Sequence, residues 1–206
     1  MLNELISDYR ILYSDACNNN LKKKHMLKKG FNVLTNVLII FVIGLFIARY
    51  FYMKPKFING EKAPVFSATL IQDQSFELTE LRGSYVLLDF WGSWCGPCRA
   101  ESPALVALYQ KYHGQLFQGA DGFEIVSIGV ERNEKSWQNA IRVLGLNWPY
   151  HILDLSSSMK FFNGEIAGQY GIKEVPTKFL LNPAGVIIGV NQSPAEIDKL
   201  LAKKLK

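Results

Sequence analysis

Between Phe31 and Tyr52 the chain carries one charge, Arg49, and from Val37 to Ala48 it is apolar without a break. As a helix rising about 1.5 Å per residue this run reaches roughly 33 Å, enough to cross the hydrocarbon core of a bilayer. Arg49, near one end, can extend its head group to the interface, and Tyr50, Phe51 and Tyr52 form an aromatic collar there. An uncapped helix that is apolar all round, beside Lys22, Lys23, Lys24, Lys28 and Lys29, fits a buried core helix poorly. No small-x-small site follows it, because Ala48 is succeeded by Arg49 and Tyr50, so the run reads as an uncleaved anchor rather than a signal peptide.

The span confines any globular fold to the chain that follows it. Five lysines precede the span, against Arg49, Lys54 and Lys56 after it, which places the N-terminus in the cytoplasm and everything from Met53 onward outside it. The expected organisation is an N-terminal cytoplasmic segment at 1–30, a transmembrane helix at 31–52, a linker at 53–62 and a folded domain at 63–206. Met26 offers an alternative start that would leave only Lys28 and Lys29 before the span and would remove Cys17.

The net charge of +5 is no sign of a nucleic-acid partner. It is concentrated in the N-terminal lysines and in Lys203, Lys204 and Lys206, and the body between is close to balanced, with no basic face for a phosphate backbone. Three cysteines, Cys17, Cys95 and Cys98, do not make a disulfide-stapled scaffold. Cys17 lies across the expected membrane from the other two.

Along the domain, Val65 to Leu70 and Ser75 to Leu78 read as a hairpin turning at Gln72-Asp73-Gln74. Tyr85 to Trp91 is a continuous apolar strand of the kind buried on both faces of a parallel or mixed sheet, and Ala100 to Tyr112 an amphipathic helix that Pro103 is predicted to kink. Phe123 to Val130 is a second buried strand, and Asn133 caps a helix running to about Leu144. Tyr150 to Leu153 is a short strand, Ser156-Ser157-Ser158 a loop, and a short helix ends at Tyr170 with Gly171 as its left-handed terminator. Lys178 to Leu181 and Val186 to Val190 form a hairpin, and Ser193-Pro194-Ala195-Glu196 opens the last helix with a capping box.

The chemistry concentrates in Trp94-Cys95-Gly96-Pro97-Cys98, at a strand-to-helix junction. Two cysteines separated by two residues can open and close as a disulfide, and free N–H groups at a helix start favour a thiolate on the first. Pro97 is tolerated because first-turn N–H groups have no intrahelical partner. The same spacing is half of a zinc site, but four ligands are needed, and beyond the span only His113 and His151 remain, not spaced as a ligand pair. No metal is expected.

With its flanks, Asp89-Phe90-Trp91-Gly92-Ser93-Trp94-Cys95-Gly96-Pro97-Cys98 resembles the thioredoxin superfamily. The wider stretch from Gly60-Glu61-Lys62-Ala63-Pro64 through Arg99-Ala100-Glu101-Ser102-Pro103, with Glu174-Val175-Pro176-Thr177 further on, resembles its membrane-anchored TlpA/ResA-type thiol–disulfide oxidoreductases, over roughly residues 60 to 205. The resemblance implies an α/β thioredoxin fold, a central mixed sheet flanked by helices. It also implies roles. Cys95 would be the exposed nucleophile, and Cys98, more buried, would resolve the mixed disulfide. Pro176, behind a cis bond, would bring the Val175 backbone beside Cys95 to hold a substrate strand. Pro103 matches the family's helix kink. Trp94, Gly96 and Pro97 would complete the substrate-facing surface, with Trp94 shielding the dithiol, while Trp91, Trp137 and Trp148 are packing residues.

Asp89 is the one charge in an otherwise apolar strand, and as a buried carboxylate it could take the proton of Cys98 during resolution. Many TlpA/ResA-type members instead rely on an acid just after the motif, where Glu101 stands here. Both acids stay open as the proton acceptor.

The expected activity is dithiol–disulfide exchange on protein substrates, with no dissociable cofactor. The Gly-Pro interior matches reducing thioredoxin, and a low-potential dithiol in an oxidising compartment needs a membrane electron donor. A reductant is therefore favoured, for example one acting on apocytochrome c. The alternatives are a thiol peroxidase of the peroxiredoxin-like class, whose cysteine context is missing, and a copper chaperone, which on this fold adds a histidine and a longer cysteine spacing.

Overall fold

A computed structural model of the chain describes residues 35–53, 56–157 and 162–206. The segment 1–30 with Cys17 and Met26, the first residues of the expected span (Phe31 to Leu34) and Ser158 lie outside the described residues. The chain divides into two compact units, Met1–Lys54 and Pro55–Lys206.

The described part of the first unit is one helix, α1 (Thr35–Met53), long and apolar enough to cross a membrane. Its large side chains, Ile40, Phe41 and Phe46 among them, are exposed, as those of a soluble core helix would not be.

The second unit is built on a five-stranded mixed sheet. Strands β1 (Ser67–Thr69) and β2 (Ser75–Glu77) form a separate antiparallel hairpin. The main sheet runs β5 (Tyr150–Leu155), β4 (Phe123–Glu131), β3 (Tyr85–Trp91), β6 (Thr177–Leu181), β7 (Ile187–Val190). β3, β4 and β5 are parallel, while β6 and β7 are antiparallel to their neighbours. Every residue of β3 is buried, as the apolar run Tyr85 to Trp91 requires of a central strand covered on both faces.

Alternation along the strands divides the core in two. Val86, Leu88 and Phe90 turn to the face covered by the hairpin and by α4 (Glu165–Tyr170). Tyr85, Leu87 and Trp91 turn to the face covered by α2 (Gly96–Tyr112), α3 (Glu134–Leu144) and α5 (Pro194–Ala202). Trp137 and Trp148 are buried in this second cluster, in keeping with their reading as packing residues.

The expected caps are present: the Asn133 side chain accepts from Ser136 N–H at 3.0 Å, Gly171 closes α4 in the left-handed conformation, and Ser193 and Glu196 form a reciprocal box; Gly145 closes α3 as Gly171 closes α4. Several boundaries differ from the sequence reading, two of them by more than two residues. The helix expected from Ala100 begins at Gly96, directly after Cys95, and runs through Pro103 to Tyr112. Residues expected in the 53–62 linker are docked from Lys56 on. Lys56 Nζ donates to the Gln169 carbonyl, Phe57 packs on the core, and Gly60 to Ala63 pair with the Gly185–Ile187 backbone at 2.8–3.0 Å, covering the β7 edge. A polar sequence without period gives no sign of pairing that closes over more than a hundred residues of chain.

One buried carboxylate holds α4 in place. Its N-cap, Gly164, has no side chain to offer, and Asp154 at the end of β5 accepts instead from Ile166 N–H at 3.3 Å and Ala167 N–H at 2.7 Å. A Cβ at 164 would stand 2.3 Å from Asp154 Oδ2, so the approach needs glycine. Asp154→Ala leaves these donors buried and unpaired, and urea unfolding is expected to show a loss of about 2 kcal/mol, most of it restored by Asp154→Asn.

Candidate active site

The end of β3 delivers the cysteines. After Trp91 the backbone leaves the sheet and turns, Cys95 N–H donating to the Gly92 carbonyl at 3.0 Å, and α2 begins. Cys95 is the N-cap of α2, and its Sγ accepts the Cys98 backbone N–H at 3.2 Å. A sulfur there faces the donor end of a 17-residue helix, a setting that favours negative charge. Pro97 falls within the first turn, where its missing N–H leaves no bond unmade. Cys95 and Cys98 are joined as a disulfide, with Cα atoms 5.3 Å apart.

Relative exposure departs from expectation. The resemblance implies an exposed Cys95 and a more buried Cys98, but both residues are 4% exposed. The reason is the loop before β6. The Val175–Pro176 bond is cis, and the Val175 carbonyl oxygen lies 3.7 Å from Cys95 Sγ, covering the sulfur on one side. Gly96 and Pro97 are exposed on the first turn of α2, whereas Val175 and Pro176 are half-buried.

Trp94 is 49% exposed, its ring stacked on Phe162 at 6.2 Å between centroids and its Nε1 donating to the Val130 carbonyl at 3.0 Å. It therefore presents an apolar face beside the disulfide, held through the indole N–H. The loop is fixed a second time by Glu131, which is buried at the end of β4 and accepts a short bond from Ser93 N–H. Burial raises the Glu131 carboxyl above its ordinary range, partly offset by that N–H. The strand expected to end at Val130 extends to Glu131, which the sequence alone does not single out.

The two candidate acids stand in different settings. Asp89 is 4% exposed in the middle of β3, on the face covered by α2. Burial pushes its carboxyl from 3.8 up to about 6, with Lys178 pulling it down and Glu101 pushing it up. Glu101, one turn beyond Cys98, is half-exposed and accepts from Lys178 Nζ at 2.5 Å. Nothing in the sequence singles out Lys178, which reads there only as the start of a strand. It is the direct register partner of Asp89 across β3 and β6 and is 4% exposed.

His151 is buried with Nε2 3.1 Å from the Leu146 carbonyl, and burial lowers its imidazole to about 4; His113 pairs with Glu124. Among the described residues no group of three or more His, Cys, Asp or Glu side chains converges as a metal site.

Comparison with known proteins matches this geometry to a defined class. The model of the AhpC/TSA family matches residues 59–190. The thiol–disulfide oxidoreductase ResA of Bacillus anthracis is 30% identical over 169 residues, covering 82% of this chain and 88% of its own. ResA of Bacillus subtilis is 30% identical over 173 residues, covering 82% and 87%. Among solved structures, the thioredoxin domain of a thiol–disulfide oxidoreductase from Bacteroides vulgatus superposes with a TM-score of 0.59 at 26% identity, over 71% of this chain and 99% of that one. StoA from Bacillus subtilis superposes with a TM-score of 0.51 at 27% identity, over 66% and 95%.

Proposed function

We propose that this chain, which belongs to the AhpC/TSA family and is a thiol–disulfide oxidoreductase of the TlpA/ResA type, works as a membrane-anchored reductant of protein disulfides outside the cytoplasm. The observation that carries the reading is the Gly96-Pro97 interior, set on the N-terminus of α2 with Cys95 Sγ accepting the Cys98 N–H. That arrangement makes Cys95 the attacking thiolate, and the Gly-Pro interior is that of reducing thioredoxin, whose low potential makes the dithiol an electron donor.

In the proposed cycle the Cys95 thiolate attacks one sulfur of a substrate disulfide and a substrate thiolate leaves. Cys98, as thiolate, then attacks Cys95 Sγ, the Cys95–Cys98 disulfide forms and the second substrate sulfur departs. Two electrons pass to the substrate, and a membrane electron donor returns them by reducing the Cys95–Cys98 bond. Asp89 and Glu101 are the candidate acceptors of the Cys98 proton. The Val175 carbonyl beside Cys95, at the cis Pro176 bond, offers a backbone edge for an extended substrate segment, and exposed Trp94, with Gly96 and Pro97, supplies the surface around it.

The helix α1 is suited to anchoring the domain, and the lysines before it support a cytoplasmic N-terminus and an extracytoplasmic domain. Apocytochrome c, whose haem-binding cysteines must stay reduced, is the substrate this placement suggests. The test is the redox potential of the purified chain in detergent, equilibrated against thiol–disulfide couples. A value near the about −270 mV of reducing thioredoxin is expected; a value near the about −120 mV of a strong oxidant would reverse the proposed direction.

A further inference from the structure

Lys178 is, among the described residues, the one buried lysine or arginine. Its place follows from register. In the antiparallel pairing of β3 with β6 it stands opposite Asp89, and directly opposed residues project on the same face. That face is roofed by α2 and includes Leu87, Leu180 and Leu105, so an apolar side chain would fill the position as well. The ammonium instead reaches Glu101 Oε2 at 2.5 Å, one helical turn beyond Cys98. One carboxylate thus meets it from the surface of α2, and a second, Asp89, faces it from beneath the helix.

We propose that Lys178 is a positioning residue that ties Asp89 beneath α2 to Glu101 at the surface of the helix, so that the two carboxylates share one ammonium and act as a single proton-accepting unit for the dithiol. The proposal rests on the reading above in which a carboxylate takes the Cys98 proton. The charges that act on Asp89 are Lys178 from β6 and Glu101 from α2, in opposite directions. From β4 its register neighbour is Ser127, whose hydroxyl accepts from Trp148 Nε1, and Glu131 on the same strand accepts from Ser93 N–H. Asp89 shares its α2-covered face with the cluster that holds Cys95 and Cys98.

The Cys98 thiol gives its proton to the Asp89 carboxylate, the thiolate attacks Cys95 Sγ, the new S–S bond forms and the substrate sulfur leaves with the electron pair of the bond to Cys95. Lys178 then keeps Glu101 as its counter-charge, and the trio passes from one net negative charge to none. When the reductant next opens the Cys95–Cys98 bond, Asp89 returns the proton to Cys98.

The arrangement predicts opposite effects from the two ends. Lys178→Met removes the ammonium that favours ionised Asp89, so the rising limb of the rate against pH moves to higher pH. Glu101→Gln removes the charge that competes for the ammonium, so the limb moves to lower pH. Each displacement is expected to be about one pH unit, or about tenfold in rate at a fixed pH below the limb.

The measurement is single-turnover oxidation of the reduced full-length protein in detergent by insulin disulfide, followed by tryptophan fluorescence from pH 4.5 to 8.5 (a range of about four units around the limb). Lys178→Arg should restore the wild-type limb, and in an Asp89→Asn background neither substitution should move the profile. If Lys178→Met and Glu101→Gln move the limb in the same direction, or not at all, while Asp89→Asn abolishes it, the role of Lys178 is overturned and that of Asp89 stands. If Asp89→Asn leaves the wild-type limb in place, the proton-acceptor reading itself is overturned. Should Lys178→Met fail to fold, the carbon-13 NMR titration of the Asp89 carboxyl in Glu101→Gln decides: a midpoint below wild type supports the shared ammonium, and an unmoved or raised one overturns it.

Discussion

Cys98→Ser is expected to stall exchange halfway, accumulating a mixed disulfide through Cys95 while multiple turnover falls by about 10³-fold or more. The two sulfurs act in a fixed order. Cys95 is the N-cap of α2 and its Sγ accepts a backbone N–H, so its thiolate is the stabilised one and should attack without help from Cys98 as a nucleophile. The second step needs the Cys98 sulfur, and a serine hydroxyl at the same place is far too weak an acid and nucleophile to replace it. Mixing the reduced variant with a disulfide peptide and separating the products without reductant should show one covalent adduct, located at Cys95 by mass spectrometry. Cys95→Ser should form no such adduct, and a stable adduct through Cys98 in that variant would invert the assignment. In native membranes the stalled Cys98→Ser protein should retain its substrate, and recovery of apocytochrome c there would extend the proposed function to that partner.

Much of this site is legible in the chain because its parts are local. A buried strand, two cysteines one turn apart and a proline in the first turn of a helix all fall between Tyr85 and Cys98, and each is readable from backbone chemistry within a few residues. Pro176 lies far off but is marked by its own motif. Lys178 carries no such mark. A lysine opening a strand ordinarily meets solvent, and only the register that sets it against Asp89 buries it under α2. Register between strands separated by most of the domain is a property of the packed sheet, and a shift of one residue would put Lys178 on the other face. The exposure of Cys95 failed for the same reason: the Val175 carbonyl that covers it arrives from a distant loop. Glu131 and the docked Gly60 to Ala63 segment likewise acquire their partners only after the sheet has assembled.

Asp89→Asn is expected to make the protein more stable at neutral pH and slower at exchange. Burial lifts the Asp89 carboxyl from 3.8 to about 6, so between those values the folded chain holds a proton that the unfolded chain has released. Folding stability therefore falls as pH rises through this window, by about 3 kcal/mol in total at about 1.36 kcal/mol per unit, and the loss is complete above the folded-state value. Asparagine has nearly the same shape and never ionises, so its advantage should be about 2–3 kcal/mol at pH 7.5 and should disappear below about pH 4, where the wild-type carboxyl is protonated in both states. Lys178 keeps Glu101 as a partner in the variant, so no buried ammonium is orphaned. Urea unfolding of the oxidised forms at pH 4, 5.5 and 7.5 checks the sign: equal stabilities at all three would mean that ionised Asp89 carries no burial cost. The same substitution should lower the single-turnover rate at neutral pH by about 10²-fold, the usual worth of a positioned proton acceptor. Stability and rate then move in opposite directions at one buried residue, which a carboxylate retained only for packing would not produce, because its removal would leave the rate where it was.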